Sequence, residues 1–294
     1  MLSILIPIYN FDITELISEL SNQAEQLKIP YEIICIDDKS DEYFSKKNEG
    51  LDDNEKVNYT KLTKNIGRSK IRNLLTFTSK YENLLLLDCD IKIDNPNFLS
   101  NYVNALKESD VIVGGIEYEP LKNINVSHKL RWIYGKKREA KKAKERTKNP
   151  YESFSACNLI IKKKISDKLF FLESISQYGH EDTLYGIELK SHNIKVNHID
   201  NQVLHLGLDN TEEFIRKTEL SLENFKSISK LNPEIISLTK IGRYTKLFSA
   251  TLFLTKPLFK VMRNLSKSVL LRGSTNLLFF DLFKLSFLLT LEEK

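Results

Sequence analysis

The first 120 residues alternate short apolar runs with segments of helical periodicity, and this alternation constrains the fold most strongly. The apolar runs lie at residues 2–8, 32–36, 57–62, 84–87 and 111–116. A chain that alternates strands and helices in this way forms a mostly parallel sheet with helices on both faces. We therefore predict an α/β fold, in which ligands bind at the carboxyl ends of the strands.

The same periodicities predict the remaining elements. Helices are expected at 12–27, with Asp12 as the cap, and at 68–81, 97–107 and 181–190. Further strands are expected at 156–161 and, in two short pieces, over 196–206. After Gly207 the chain is predicted to be helical to the end, and Pro257 is expected to open a helix there.

Composition excludes several classes of protein. Apolar residues make up 41% and charged residues 28%, which is typical of a folded globular chain. The net charge of +5 is too small to indicate nucleic acid as a partner. Three cysteines without a CxxC pair, and an N-terminus that reads as a strand, predict reduced thiols and a cytoplasmic location. The motifs GxGxxG, GxxxxGK[ST], GxSxG and HExxH are all missing from the sequence.

Carboxylates follow the ends of two predicted strands. Asp88 and Asp90 follow the four-leucine run 84–87, and Asp37 and Asp38 follow the run 32–36. Residues two apart in an extended segment face the same side. Paired carboxylates on one rim suit Mg²⁺ or Mn²⁺, which then bridges to a diphosphate.

Four motifs in this order resemble family 2 glycosyltransferases with the GT-A fold. They are the opening strand SILIPIYN at 3–10, IICIDDKS at 33–40, NIGRSKIRN at 65–73 and LLDCD at 86–90. Lys39 stands where the family usually has glycine. The later segments YGHEDTLYG at 178–186 and VLHLG at 203–207 resemble the acceptor motif and a metal-site histidine of inverting GT-A enzymes.

This resemblance implies a GT-A domain over residues 1–220 and a C-terminal helical extension over 221–294. Residues 1–120 would form its nucleotide-sugar half and residues 121–220 its acceptor half. The implied reaction is a metal-dependent, inverting sugar transfer from a nucleotide-diphosphate sugar, with UDP favoured. The acceptor would be a glycan or a lipid-linked sugar in surface polysaccharide synthesis, and the cofactor Mn²⁺ or Mg²⁺.

The resemblance also implies a role for each matching residue. Asp182 would be the catalytic base and Glu181 would bind the acceptor. The metal ligands would be Asp88, Asp90 and His205. The nucleotide would be bound by Pro7, Tyr9, Asp37, Asp38, Asn65, Gly67, Arg72 and Asp88.

Each role has a structural alternative that the sequence leaves open. Asp37 and Asp38 could anchor the turn after their strand, Glu181 and Asp182 could be first-turn acids of a helix, and His205 could be a core residue. Two other functions compete with sugar transfer. A sugar-phosphate nucleotidyltransferase is disfavoured because residues 7–12 contain no glycine. A non-catalytic nucleotide-sugar-binding scaffold is disfavoured by the complete carboxylate motifs.

Two segments outside these motifs are also distinctive. Residues 129–148 hold ten basic and two acidic residues, which indicates a solvated helix or loop, or a lid over an anionic substrate. Trp132 and Tyr134 within it could stack on a sugar or simply pack.

Near the C-terminus, one helix face should carry Lys256, Lys260, Arg263 and Lys267, and residues 277–291 are mostly apolar. These helices could lie on an anionic membrane surface, such as the inner face of the plasma membrane, or pack as a pair on the domain or in a homodimer.

Overall fold

A computed structural model describes residues 1–174, 179–249 and 252–291 of the 294-residue chain. They form two compact units. The first comprises Met1–Glu117, Ala140–Ser174 and Glu181–Gly207. The second comprises Tyr118–Glu139, Ile175–His180 and Leu208–Lys294, of which residues 175–178, 250–251 and 292–294 lie outside the described part. The catalytic, metal and nucleotide residues implied by the family resemblance all lie in the first unit.

A seven-stranded sheet organises the first unit. Its strands in spatial order are β3, β2, β1, β4, β8, β6 and β9. The strand bounds are Leu2–Ile8 (β1), Tyr31–Asp37 (β2), Val57–Lys61 (β3), Asn83–Leu87 (β4), Ile91–Lys92 (β5), Val111–Val113 (β6), Ile116–Tyr118 (β7), Asn158–Lys162 (β8), Asn197–His198 (β9) and Val203–His205 (β10). Strands β1 to β4 pair in parallel, and β8 runs antiparallel to both β4 and β6. The predicted mostly parallel sheet is therefore confirmed.

Helices cover both faces of this sheet. The α-helices of the two units together are Thr14–Leu27 (α1), Glu42–Lys47 (α2), Arg68–Thr78 (α3), Phe98–Ala105 (α4), Lys129–Tyr134 (α5), Ala143–Arg146 (α6), Lys163–Ser166 (α7), Glu181–Ser191 (α8), Thr211–Leu231 (α9), Glu234–Leu238 (α10), Lys240–Ser249 (α11), Leu252–Leu271 (α12) and Leu277–Thr290 (α13). Successive leucines of β4 point to opposite faces, so Leu85 and Leu87 join the core under α1 and α4. Leu84 and Leu86 join the core under α3 and α8. Burial on both faces explains why the strands read as continuous apolar runs.

Several predicted boundaries differ from the structure, and three of the differences have a local explanation. The helix at 68–81 ends at Thr78, because Ser79 is extended and its hydroxyl donates to the Thr76 carbonyl. The strand at 111–116 splits into β6 and β7 at Gly115, whose φ of +85° breaks the extended backbone. The first helix begins at Thr14 with Ile13, not Asp12, at its N-cap, although the Asp12 carboxylate accepts a hydrogen bond from the Thr14 amide.

Aromatic side chains form the centre of the second unit. Tyr134 and Phe214 both pack against Phe280, with the Phe214 and Phe280 rings stacked at a centroid distance of 4.8 Å. Tyr134 is therefore a packing residue, the second of its two interpretations. Trp132 lies half-buried, and its indole N–H donates to the Glu119 carbonyl oxygen at 2.7 Å.

The basic segment 129–148 is largely helical. It contains α5, a π-helical turn over Gly135–Glu139 and α6. Not all its charges face solvent, because Arg131 lies against the Tyr118 and Phe214 rings and pairs with Glu139 at 3.1 Å. Arg146, at the end of α6 in the first unit, is 4% exposed and donates to four backbone carbonyl oxygens there.

One expectation for the C-terminal helices was wrong, and one basic helix face is partly engaged in contacts. Pro257 lies inside α12, five residues after its start, and does not open it. The basic stripe of α12 is not a uniformly solvated face. Lys267 pairs with Glu219 at 2.5 Å, and Arg263 lies over the Phe287 ring and donates to the Thr290 hydroxyl.

The apolar segment 277–291 forms α13, which is mostly buried against α12, α9 and α11. It therefore packs as part of a helical pair. Among the described helices, none is both long enough and apolar enough to cross a membrane. All three cysteines are free, as expected, with Cys35 and Cys157 buried and Cys89 half-buried.

The central position of β4 predicts a stability effect. Leu85 is fully buried, so Leu85→Ala should lower the free energy of unfolding by about 2–5 kcal/mol through lost burial and a residual cavity. Phe77→Ala, at a side chain that is 82% exposed, is the matched control and should change it by less than about 0.5 kcal/mol. Urea denaturation of both variants checks this, and an equal effect of the two would contradict the described core.

Candidate active site

Asp88 and Asp90 stand at the carboxyl end of β4, next to β1 in the middle of the sheet. The Asp88 amide donates to the Cys157 carbonyl oxygen at 3.0 Å, which fixes the chain as it leaves the strand. Directly after Asp90 the chain enters β5, which pairs antiparallel with β10. That pairing places Ile91 opposite His205 and brings the histidine beside Asp90.

Asp90 and His205 form a close pair. The distance from His205 Nε2 to Asp90 Oδ2 is 3.6 Å. Burial raises the pKa of the Asp90 carboxyl, and the nearby His205 partly offsets this. Gly207 lies so close to Asp90 that a Cβ at this position would clash with Asp90 Oδ2. The backbone beside Asp90 therefore leaves no room for a side chain at residue 207.

Arg72 links two carboxylates from distant parts of the chain. It projects from α3, and its side chain is only 4% exposed. Its Nη2 donates to Asp88 Oδ1 at 2.9 Å, and its Nη1 donates to Asp182 Oδ1 at 3.1 Å. The guanidinium also lies 5.4 Å from the centre of the Phe171 ring. Two fixed donors of one planar group thus set the spacing between the two acids.

The second oxygen of Asp182 is also held. Its Oδ2 accepts hydrogen bonds from the Ala156 amide at 3.0 Å and from the Ser155 hydroxyl at 3.2 Å. The carboxylate still keeps 28% of its side-chain surface exposed, so it is open to a ligand. Burial raises the pKa of Asp182 above its usual range, and Arg72 offsets only part of that rise.

Asp88 shows the opposite balance. Burial by itself would raise its pKa, but the guanidinium groups of Arg72 and Arg68 outweigh burial and lower it. Arg68 also lies 3.5 Å from Glu181 Oε1, whose side chain is 8% exposed. Two acids in one site with pKa shifts of opposite sign are typical of functional positions.

The carboxylates at the end of β2 contact protein rather than open space. The Asp38 carboxylate accepts hydrogen bonds from the backbone amides of Ile66 at 2.6 Å and Gly67 at 2.9 Å. The Asp38 backbone carbonyl accepts a further hydrogen bond from Asn65 Nδ2. Asp37 is fully buried. Its carboxylate accepts hydrogen bonds from the Ser40 amide and the Tyr59 hydroxyl.

This arrangement gives the loop before α3 a defined shape. Gly67 has a φ of +84° and is followed at once by Arg68, the first residue of the helix that carries Arg72. Asp38 therefore positions Arg72 through the loop. Pro7 is half-buried within β1 opposite Ile36, and Tyr9, just past the strand, is 55% exposed.

The structure thus brings Arg72, Asp88 and Asp182 together, and separately pairs Asp90 with His205. Two participants were not predicted from sequence. Arg68 lies one helical turn before Arg72, and this i, i+4 spacing was the available signal. Ser155 is 27 residues from Asp182 in sequence and contacts it only in the folded structure, so no local sequence pattern predicts its place in the site.

The donor groups at this corner fit a hard divalent cation only in part. Carboxylate oxygens and an imidazole are ligand types that Mn²⁺ accepts, and Asp90 with His205 supplies one of each. Among the described residues, however, no three His, Cys, Asp or Glu side chains converge at metal-ligand spacing. One oxygen of Asp88 is already occupied by Arg72.

Sequence comparison decides the family. The sequence model of Glycosyl transferase family 2 matches residues 3–170, which is more than half of the chain. The chain belongs to glycosyl transferase family 2. Membership of this family favours sugar transfer over nucleotidyl transfer. No curated protein matches the sequence significantly.

Solved structures share the GT-A fold of this chain. The mannosyltransferase PcManGT from Pyrobaculum calidifontis, solved with GDP-Man and Mn²⁺, has a TM-score of 0.60 and 12% identity. That similarity covers 98% of this chain and 84% of the mannosyltransferase. S. aureus TarS 1–349, solved with UDP, has a TM-score of 0.51 and 19% identity, covering 76% of this chain. The chain spans 64% of TarS 1–349 and 42% of a longer TarS structure.

The Arg72 bridge predicts a pH-dependent stability effect. In Arg72→Met, Asp88 and Asp182 lose their shared cation and keep the burial that raises their pKa. We expect a loss of about 2 kcal/mol at pH 7, below the 3–5 kcal/mol of a fully buried pair because both acids are partly exposed. Groups with a raised folded-state pKa destabilise the fold above that pKa, so the deficit should shrink as the pH falls towards about 5.

Arg68→Met is the matched control for this prediction. Arg68 starts the same helix, but its side chain is 54% exposed and lies 3.5 Å from Glu181. Its removal should cost less than about 1 kcal/mol. Urea denaturation at pH 7 and pH 5 measures both variants. A deficit in Arg72→Met that is equal at both pH values would contradict the assigned bridge.

Proposed function

We propose that this enzyme transfers a sugar, with inversion, from a nucleotide-diphosphate sugar to a hydroxyl group of a glycan or lipid-linked acceptor. The observation that carries the proposal is the bridge from Arg72 to Asp88 and Asp182. It sets a partly exposed carboxylate of raised pKa beside the strand end that holds Asp88 and Asp90. A proton acceptor and a diphosphate-binding rim then share one edge of the sheet.

Asp182 is proposed as the catalytic base. A carboxylate in reach of an acceptor hydroxyl takes its proton while that oxygen attacks the anomeric carbon. The contacts from Arg72, Ser155 and Ala156 fix both oxygens of Asp182, so the base is held in one orientation. Its raised pKa makes it a stronger base than an ordinary aspartate. Glu181, the next residue, is proposed to hold the acceptor sugar.

Asp90 and His205 are proposed to hold Mn²⁺ or Mg²⁺, with Asp88 contributing its oxygen that Arg72 leaves open. Such an ion neutralises the negative charge of a leaving diphosphate. Its use is supported by the donor types present and by the Mn²⁺ in the structure of the mannosyltransferase. The positive charge of Arg68 at this rim adds to the attraction for phosphate oxygens.

The nucleotide is proposed to bind along the ends of β1 and β2. Exposed Tyr9 and Asn65 are suited to direct contact. Asp37, Asp38 and Gly67 support that edge from within, and Pro7 lies in β1 below it. UDP is favoured by the family resemblance, although the two solved relatives carry UDP and GDP-Man. We propose residues 1–120 as the nucleotide-sugar half and 121–220 as the acceptor half, with surface polysaccharide as the product.

The donor and metal proposal predicts a specific thermal-shift pattern. One of UDP, GDP, CDP and dTDP should raise Tm by roughly 5–10 °C at saturating concentration, and only with Mn²⁺ or Mg²⁺ present. Asp90→Asn should abolish the metal-dependent part of that shift. Asp94→Asn, four residues later at a side chain that is 60% exposed, is the control and should behave as wild type. A shift that is unchanged in EDTA would refute the metal role.

The base proposal predicts a separation of binding from transfer. Asp182→Asn should keep the nucleotide-induced shift but slow transfer, or slow hydrolysis of the donor, by at least about 10²-fold. Because the base must be deprotonated and its pKa is raised, wild-type kcat should fall on acidification at a higher pH than an ordinary aspartate would give. Asp167→Asn, at an exposed acid of the same unit, is the control. Wild-type turnover in Asp182→Asn would place the base elsewhere.

A further inference from the structure

The outward face of α12 carries an apolar stripe in addition to its packed inner face. Phe259, Ser266 and Leu270 are buried on the inner side. Leu258 and Leu265 are 59% and 62% exposed, and Val261 between them is 55% exposed. Their spacings of three and four residues place these three side chains on one face of the helix. The buried inner face already packs against the rest of the unit, so core packing does not explain the three exposed apolar side chains.

Two more exposed apolar side chains lie at the turn that joins α12 to α13. Leu271 closes α12, and Leu278 lies in the first turn of α13, where it is 75% exposed. We name the five residues Leu258, Val261, Leu265, Leu271 and Leu278 the C-terminal apolar surface. A cluster of exposed large apolar side chains on one pair of helices marks an interaction site more often than scattered single residues do.

The segment that carries this surface, residues 240–280, has charges of one sign, and the acid that follows it, Asp281, pairs with Arg138 and Lys284. Residues 240–280 contain eight lysines and arginines and no aspartate or glutamate. The exposed ones include Arg243 and Lys246 on α11, Lys260 on α12 and Arg272 just after it. The rest of the chain carries a net charge of −3, given the total of +5, so the positive charge is concentrated in this segment.

The positive charge of this segment distinguishes between two possible binding partners, a second copy of the chain and an anionic membrane. A second copy docked by two-fold symmetry would place the same patch on both sides of the interface. It would therefore bring basic residues against basic residues. An anionic lipid surface offers apolar chains for the leucines and negative headgroups for the flanking cations. We infer that the C-terminal apolar surface binds an anionic membrane, with Leu258, Val261 and Leu265 entering the headgroup–acyl boundary.

Vesicle co-sedimentation of the full chain tests this inference. Wild type should sediment with vesicles of equimolar phosphatidylcholine and phosphatidylglycerol, and much less with phosphatidylcholine alone. The combined variant Leu258→Ser, Val261→Ser, Leu265→Ser should lower the partition coefficient on the mixed vesicles at least about 10-fold. The combined variant Arg243→Gln, Lys246→Gln, Arg272→Gln should lower it about fivefold for each charge removed.

The control removes three other exposed apolar side chains. Phe77→Ser, Val126→Ser and Leu231→Ser lie at residues that are between 72% and 83% exposed, all outside 240–280. This variant should sediment as wild type does. Circular dichroism confirms that every variant is folded, and gel filtration reports its oligomeric state.

Three outcomes would overturn the inference. The first is equal sedimentation of wild type and the leucine–valine variant. The second is equal binding of wild type to neutral and anionic vesicles. The third is a wild-type dimer that the leucine–valine variant converts to monomer without loss of sedimentation, which would assign the surface to a second copy. None of these outcomes bears on Asp182 or Asp90, so the proposed reaction is tested separately.

Discussion

The guanidinium group of Arg72 is the interaction on which the site depends. It is almost completely buried, and its two terminal nitrogens reach carboxylates that come from β4 and from the start of α8. Without a cation between them, Asp88 and Asp182 would repel each other in a poorly solvated space. With the cation in place, the two acids take different characters. The pKa of Asp88 is lowered, while that of Asp182 is raised because burial dominates there.

Arg72 in turn depends on the loop that precedes its helix. The Asp38 carboxylate accepts hydrogen bonds from two successive backbone amides of that loop. Gly67, with a positive φ, makes the turn that leads into α3. A buried carboxylate with two amide donors is a rigid junction, because an unpaired partner would carry the full desolvation cost. The end of β2 therefore sets the direction of α3 and, through it, the position of the acids. The proposed nucleotide edge and the proposed base are mechanically linked by this route.

The C-terminal helices show how composition can mislead about exposure. The most apolar helix, α13, is largely buried by α9, α11 and α12, so its hydrophobicity is explained by packing. The less apolar helix, α12, presents leucines on its outward face. Two of its four basic residues make contacts inside the second unit. Lys267 pairs with Glu219, and Arg263 contacts Phe287 and Thr290. The position of each side chain around the helix, and not the helix average, decides what reaches solvent.

The sequence by itself determined the α/β class, the order of the strands and helices, and the strand ends at which Asp37, Asp38, Asp88 and Asp90 stand. These features follow from local periodicity and from the rule that buried parallel strands are continuously apolar. The tertiary structure decided which of these acids are open to a ligand and which accept hydrogen bonds from the backbone. That choice depends on hydrogen-bond donors that are distant in sequence. Ser155 beside Asp182, His205 beside Asp90 and the amides at Asp38 are contacts between separate strands, helices and loops, and no local pattern encodes their distances. The ion pair of Lys267 with Glu219 arose in the same way, between side chains that only folding brings into contact.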